Sequence, residues 1–317
     1  MKMRQFIFIM SLFVVLRINA QQDPQYSQYT FNQMVINPAY AGSKEALSGV
    51  VDMRQQWSGF DGAPQTQSFS FHGPVLKKRI GLGFSGYNDA IGPKRITAAY
   101  ANVSYILPIS NALKLSFGIR GGVANYVFDF NKMNYRDPGE INAFANIDAN
   151  KMKADFDAGI YLKSNSFYAG FSATHLNAAY IYKDKISFQN LSGDQVEYDL
   201  TYKLSTHIFG IVSKGFSVGE NLVINPTIIY KGVSEIHSVD ANLNFLIHQR
   251  LWLGAFYKSN THVGALIQVY VTNGLKIGYA FDTGVGSVQR TLGSGHEIML
   301  GFDFNPFKTK MLSPRYL

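Results

Sequence analysis

The sequence predicts an all-β fold, an antiparallel transmembrane β-barrel of about 14 strands of the kind found in outer membranes. Three observations lead to this prediction. Large apolar residues alternate with smaller or more polar residues along most of the chain. The longest connections between the alternating blocks all fall at one end of the expected barrel. Charged residues stay out of the large apolar register.

The composition excludes several classes of protein. The chain has 317 residues, of which 46% are apolar, 14% aromatic and 16% charged, with 29 Gly and no Cys. This apolar fraction excludes a disordered chain, and abundant aromatic and Gly residues with few charges favour β-structure. Without Cys, disulfides, Cys-based zinc sites, iron–sulfur clusters and thiol nucleophiles are excluded. We predict no cofactor and no metal.

The charge balance does not indicate a nucleic-acid partner. Residues 1–20 contribute three bases and no acid, so without them 26 basic and 21 acidic residues remain, and the net charge falls from +8 to +5. The chain has no run of four or more Lys or Arg residues, which a nucleic-acid footprint would favour.

Residues 1–20 have the three-part layout of a secretory signal peptide. Lys2 and Arg4 form a basic start, an apolar stretch runs from Phe6 to Leu16, and Ala20 is a small residue at the expected cleavage site. The apolar stretch is too short for a stable membrane span, although an uncleaved anchor helix is the alternative. Cleavage of a signal peptide after Ala20 implies that the rest of the chain is exported from the cytoplasm.

Residues 46–305 form the predicted barrel. In the block from Leu113 to Ile119, every second residue is large and apolar, and Lys114, Ser116 and Gly118 lie between them. Since side chains at i and i+2 share a strand face, most blocks have one apolar face and one smaller or more polar face. The predicted strands are 46–56, 65–74, 79–88, 95–107, 111–125, 154–163, 166–175, 198–212, 221–231, 237–247, 251–258, 262–271, 275–283 and 295–305.

Connection lengths test the barrel independently. If the chain starts on the periplasmic side, connections after even-numbered strands are expected to be short, and those after odd-numbered strands are free to be long. The connections at 108–110, 163–166, 248–250 and 272–274 are tight, whereas 126–153, 176–197 and 284–294 are the longest. A soluble β-sandwich, the alternative, has no reason to sort its loops in this way.

The charged residues of the blocks lie in the register expected to face the lumen. A Lys or Arg on the lipid face costs about 2–4 kcal/mol at mid-membrane. The charges placed in the other register are Lys114, Arg120, Asp155, Asp157, Asp240 and Asp303.

Motifs at both ends of the chain carry a family resemblance. The first stretch includes Gln22-Asp23-Pro24-Gln25-Tyr26 and Asn37-Pro38-Ala39-Tyr40-Ala41-Gly42-Ser43, followed by Arg54-Gln55-Gln56-Trp57 and Gly62-Ala63-Pro64-Gln65-Thr66. The chain ends in Ser313-Pro314-Arg315-Tyr316-Leu317. With these motifs, the mature chain resembles the PorP/SprF family of the type IX secretion system of Bacteroidetes.

The resemblance implies a non-enzymatic outer-membrane protein. Its implied role is to help secrete, or attach to the cell surface, large adhesin-like cargo proteins that carry C-terminal sorting domains. The implied partners are the type IX secretion machinery, that cargo and outer-membrane lipid, and some members are linked to gliding motility. The rival function is an outer-membrane channel for small or hydrophobic solutes.

Residues 21–45 are largely polar and unsuited to lipid. Because the lumen of a barrel of this size is wide enough to leak if left open, we hypothesise that this segment plugs the lumen or rests on its periplasmic mouth. A mobile leader is the alternative.

Arg54, Trp57, Phe60 and Asp61 lie at or just after the end of the first predicted strand. They are candidates for a partner-binding surface. The favoured interpretation is structural: Trp57 anchors the barrel at the membrane interface, and Arg54 pairs with acidic residues of the lumen.

The long loops and the C-terminal tail supply the other partner-binding candidates. Tyr135 and Arg136 lie in the first long loop, and Tyr180 and Tyr182 lie in the second. They are candidates because exposed Tyr and Arg suit protein recognition. A rigid lid over the barrel is an equal alternative for these loops. Residues 306–317, which include Arg315, form a basic periplasmic tail that either docks a partner or stays solvated.

Catalytic signals are weak. The seven His are scattered and form no His-x-x-x-His pair. Asp155 and Asp157 share a strand face but sit among ordinary lumen charges. No nucleophile–base pair stands out, so the sequence predicts no catalytic residue and an enzyme is the least favoured class.

Overall fold

A computed structural model describes residues 23–44, 46–76, 78–133, 147, 149–259, 261–286 and 290–304. The predicted signal peptide 1–20 and the predicted tail 306–317 lie outside the described residues. Among the described residues, no helical segment has the length and hydrophobicity of a membrane span.

Fourteen antiparallel strands close into a barrel. The barrel strands are β1 Leu47–Gln55, β2 Gln65–Val75, β3 Ile80–Ile91, β4 Lys94–Pro108, β5 Lys114–Phe128, β6 Asn150–Lys163, β7 Phe167–Thr174, β10 His207–Lys214, β12 Leu222–Val233, β13 Ile236–Ile247, β14 Leu251–Lys258, β15 His262–Tyr270, β16 Leu275–Gly284 and β17 Ser294–Phe304. Hydrogen bonding joins β1 to β7 in chain order, then β7 to β10, β10 to β12, and β12 to β17 in chain order. The ring closes where β17 pairs with β1.

The alternation in the sequence matches the two faces of the wall. Ile119 is 65% exposed and Ile298 is 58% exposed on the outer face, whereas Asp155 and Glu297 are fully buried inside. Because lipid surrounds a barrel of this kind, the exposed apolar face is the membrane face. The predicted all-β barrel of about 14 strands is confirmed.

The predicted strand 198–212 is wrong. Its first half belongs to β9 (Gln195–Lys203), which pairs with β8 (Tyr180–Gln189) in a separate two-stranded hairpin. Only β10, which begins at His207, joins the barrel. Alternation runs through both β9 and β10. It does not distinguish a strand of a separate hairpin from a strand of the barrel wall, so the sequence pattern predicts one strand where the structure has two. A short strand, β11 (Phe216–Val218), pairs with the start of β12.

The connections sort by length as the sequence indicates. The four longest connections join strands at the same end of the barrel. They are residues 129–149 and 175–206, and the nine-residue connections 56–64 and 285–293. The opposite end carries only shorter links, such as 164–166 and 248–250. Outer-membrane barrels have their short turns in the periplasm, which assigns the long connections to the outer side.

Residues 23–44, called here the lumen segment, lie inside the ring. They form three short 3-10 turns at Tyr29–Phe31, Gln33–Val35 and Pro38–Tyr40. The segment hydrogen-bonds to strands around the barrel, from β2 through β7 and β12 to β17. A single short segment reaches so many strands only from within the lumen.

The lumen segment runs from the outer half of the barrel to the short-turn end. Asp23 contacts His175, which directly follows β7 at the long-loop end. Ala41 accepts a hydrogen bond from Ser104, near the short-turn end of β4. The chain then enters β1 from that end. That this segment closes the barrel to solutes remains a prediction.

Candidate functional site

Asn37 seats the lower half of the lumen segment. Its side-chain oxygen accepts a hydrogen bond from the backbone N–H of Ala39 at 2.9 Å, which caps the turn that Pro38 begins. Its amide nitrogen donates to the carbonyl oxygens of Ile160 at 3.0 Å and Phe171 at 3.4 Å. One side chain therefore shapes the turn and ties it to two neighbouring wall strands.

The wall opposite this turn lacks side chains where the turn approaches. A carbon built in the Cβ position of Gly118 would lie 2.5 Å from the carbonyl carbon of Pro38, and one on Gly159 would overlap the Asn37 amide. Only glycine permits so close an approach between two backbones. The motif Asn37–Gly42 and these wall glycines form one complementary contact.

Further hydrogen bonds complete the lower contact. Ser104 and Ser172 each donate from the hydroxyl at 2.6 Å, to the carbonyls of Ala41 and Ile36. The backbone N–H of Gly42 donates to His72 at 3.1 Å. Each of these bonds satisfies a polar group that is shielded from water.

A buried ionic cluster holds the upper half. Arg54 on β1 pairs with Asp282 at 2.7 Å and with Glu297 at 3.1 Å, and it donates to the Ser27 hydroxyl at 2.7 Å. Glu297 also accepts from the backbone N–H groups of Ser27 and Gln28, at 2.6 and 2.9 Å. The cluster joins the lumen segment to the seam where the first and last strands meet.

A second ionic cluster binds Asp23, the first described residue of the lumen segment. His175 bridges Asp23 at 2.6 Å and Asp155 at 2.8 Å, and His207 lies 3.1 Å from Asp23. Burial opposes a charge on His175, but the carboxylates of Asp23 and Asp155 outweigh it and raise the pKa of His175 well above its usual 6.5. Burial likewise opposes the charge on Asp23, but the two histidines hold the pKa of Asp23 well below its usual range.

One group of side chains has the spacing of a metal site: Asp155, Asp157 and His175. One potential ligand atom from each residue lies within 4.8 Å of the other two. Arg120 forms an ion pair with Asp157, and the backbone N–H of His175 donates to the same carboxylate. These contacts account for the group as an ion-pair network, and we assign no metal to it.

The base of the β8–β9 hairpin packs against the inner wall at the outer end. Ile181, Tyr182 and Leu204 are buried in a cluster with Tyr100 and Tyr126. The ring of Tyr182 lies 5.4 Å from that of Phe128 in an edge-to-face contact. Farther along the hairpin, Leu191 is 75% exposed and Tyr198 is 50% exposed. The hairpin thus has a packed base and a tip that carries exposed side chains, whereas Ile186 and Phe188 between them are buried.

Two of the partner-binding candidates are buried. Arg54 is 3% exposed within its ionic cluster, and Tyr182 is 2% exposed. Neither side chain is available to a partner in this conformation, because each is enclosed by residues of the chain. The structural interpretation predicted that Arg54 pairs with acidic residues of the lumen, and Asp282 and Glu297 are such residues.

The remaining candidates divide by location. Phe60, Asp61 and Tyr180 are exposed at the long-loop end, and Trp57 at the same end is half-buried. A partner-binding role for these four stays a prediction. Tyr135, Arg136 and Arg315 lie outside the described residues.

Sequence reasoning missed the contacts that hold the lumen segment. Gly118 and Gly159 occupy inward positions of their strands, and glycine at such positions signals close backbone approach. Asp23 and His175 are 152 residues apart in the chain. No local pattern links them, so only the closed ring reveals their pairing.

Comparison with known proteins identifies the family. The sequence profile described as type IX secretion system membrane protein PorP/SprF matches residues 18–302. The chain belongs to the PorP/SprF family. Among curated proteins, no sequence matches it significantly. Membership supports an association with the secretion machinery and a secretion-related role in the outer membrane.

Solved structures with a similar fold are outer-membrane barrels. The toluene transporter TodX of P. putida is 10% identical, with a TM-score of 0.52 over 87% of this chain and 94% of that one. The toluene transporter TbuX of Ralstonia pickettii is 8% identical, with a TM-score of 0.50 over 86% and 93% of the two chains. At such identity the likeness is one of fold alone. Fold and family together place this PorP/SprF protein in the outer membrane.

Proposed function

We propose that this protein is a non-enzymatic component of the type IX secretion system that helps to secrete, or attach to the cell surface, adhesin-like cargo with C-terminal sorting domains. It acts through contact surfaces at its two rims rather than through an open pore. Its partners are the secretion machinery and the cargo, and lipid surrounds its wall.

The occupied lumen is the observation that carries this proposal. Residues 23–44 run through most of its length, and the base of the β8–β9 hairpin packs above them. Two buried ionic clusters and the Asn37 contact hold the segment. A protein that binds partners has no need of a pore, so a filled barrel suits this role.

The rival function, a channel for small or hydrophobic solutes, requires open space. A cavity beside the lumen segment, lined in part by Tyr26, Tyr100, Arg120 and His175, has a volume of about 40 Å³. An apolar cavity that binds benzene measures about 150 Å³. This cavity is therefore too small for an aromatic hydrocarbon, and its lining is charged.

Secretion by a deletion strain tests the proposal. Surface and culture-fluid proteins are compared between the wild type and a strain lacking this protein, with a plasmid copy as the control. We expect one or a few large proteins with C-terminal sorting domains to be lost or mislocalised and to return with the plasmid. Normal secretion combined with altered solute uptake would replace this proposal with the channel.

A further inference from the structure

A small cavity marks the point where the lumen segment leaves the barrel at its short-turn end. Gly42, Ser43 and Ile106 form part of its lining. The charged residues of the lining are three lysines: Lys78 from the β2–β3 turn, Lys114 at the start of β5 and Lys163 at the end of β6. The closed ring brings these three residues, distant in sequence, to one place.

The charge of this mouth has a single sign. The described residues that line the cavity carry three ammonium groups and no carboxylate. The Lys163 ammonium lies 3.4 Å from the carbonyl oxygen of Ser43, at the exit of the lumen segment. All three lysines also interact within the chain. The described lining of the mouth is therefore positively charged.

Positive charge continues around this end of the barrel. Lys44 and Lys276 share one carboxylate, Asp303, at 3.4 and 3.3 Å. In the described short connections, Lys78, Arg79 and Arg250 are opposed by one acid, Glu220. Such a field attracts acidic partners and speeds their encounter.

We propose that this lysine mouth, formed by Lys78, Lys114 and Lys163, docks an acidic segment of a periplasmic protein. The proposal deepens the secretion function, on which it rests, by giving the chemistry of one partner. A protein segment is favoured over lipid headgroups because the cavity opens at the lumen exit rather than on the lipid-facing wall. Its volume of about 10 Å³ admits one water-sized group, such as a carboxylate oxygen.

Binding of an acidic peptide tests the mouth. The full chain in a zwitterionic detergent is titrated with fluorescein-labelled octaglutamate, and octaglutamine serves as the neutral probe. The variant carries Lys78→Gln, Lys114→Gln and Lys163→Gln. A control variant carries Lys132→Gln, Lys183→Gln and Lys185→Gln at the opposite end, with the same change in charge. Circular dichroism verifies that both variants fold.

We expect octaglutamate to bind the wild type and the control variant equally, and the mouth variant about tenfold more weakly. Equal weakening in both variants would overturn the proposal, because it would reflect net charge alone. So would binding of phosphatidylglycerol vesicles but not of the peptide. Peptide binding that appears only after removal of residues 306–317 would show that the chain's own tail occupies the mouth, which also contradicts the proposal.

These results are separable from the secretion function. If the peptide fails to bind while the deletion strain still loses cargo, the mouth is wrong and the secretion role stands. If the peptide binds as expected while secretion in the deletion strain is normal, the secretion role is wrong.

Discussion

Gly118 offers a direct test of the lower contact at the scale of one residue. Its missing side chain leaves room for the backbone of Pro38, so Gly118→Ala forces the lumen segment or the wall to move. Overpacking of this kind costs about 1–3 kcal/mol. We expect a lower free energy of unfolding in urea, measured on the folded barrel in detergent.

Gly121 on the same strand is the matched control. A Cβ there would meet only the Phe156 side chain, at 3.4 Å, which is ordinary van der Waals contact. Gly121→Ala is therefore expected to change the free energy of unfolding by less than about 0.5 kcal/mol. Equal effects of the two substitutions would show that the close approach at Gly118 has no energetic weight.

His175 makes the outer contact sensitive to pH. Because Asp23 and Asp155 raise its pKa in the folded protein, the stabilisation is complete below about pH 6.5 and is lost as the pH rises through the folded value. A spin label on Gln25→Cys, in a chain that has no other Cys, reports this contact. We expect the label to be immobile below about pH 6.5 and to gain mobility as the pH rises well above that value.

The same label in a His175→Gln background is the control. This variant has no imidazolium to lose, so we expect the label to be more mobile at low pH and to respond little to further change. A label whose mobility is constant with pH in the wild type would contradict the role given to His175.

At the scale of elements, the lumen segment is expected to seal the barrel. A barrel of 14 strands approaches the size at which an open lumen conducts water and ions. We predict that deletion of residues 23–44 produces steady conductance in planar bilayers, whereas the full chain is silent. If the deleted protein folds as a barrel and stays silent, another part of the chain seals the lumen.

The β8–β9 hairpin is the second element with a predicted role. Removing residues 185–199, the part of the hairpin beyond the paired Asp184 and Leu200, leaves the packed base and the ring in place. We expect surface display of cargo to fall while the thermal stability of the barrel stays near that of the wild type. Shortening the 285–293 connection instead is the control, and unchanged display after loss of the hairpin would exclude it as a cargo contact.

The elements differ in how far the sequence predicts them. The barrel strands follow from period-two alternation because every wall residue faces either lipid or lumen. The sequence does not predict the β8–β9 hairpin as a separate element, because its strands show the same alternation as the barrel strands. The polar composition of residues 21–45 indicates a location in the lumen. It does not predict which residues anchor the segment, because Asn37 binds backbone carbonyls of strands far along the chain.

At the scale of the whole molecule, the chain is a barrel filled from within and basic in the described part of its short-turn end. Alternation, sorted connections and lumen charges led to the fold from sequence alone. The candidate site was only partly predictable, because ring closure decides which inward residues meet. Arg54 illustrates this point: an acidic partner in the lumen was expected, whereas its meeting with both Asp282 and Glu297 depends on the β1–β17 closure.

We propose that this filled barrel supports secretion by contact rather than by passing solutes. Locking the lumen segment in place and measuring secretion tests this proposal. Asn32 and Ser70 contact each other between the segment and β2, with their side-chain oxygens 2.7 Å apart. Formation of a disulfide between cysteines at these positions is verified by its mobility shift on a non-reducing gel. In a strain carrying Asn32→Cys and Ser70→Cys, we predict that cargo secretion is the same whether the disulfide is formed or reduced. Loss of secretion on oxidation, with recovery on reduction, would show that the segment must move and would contradict the account.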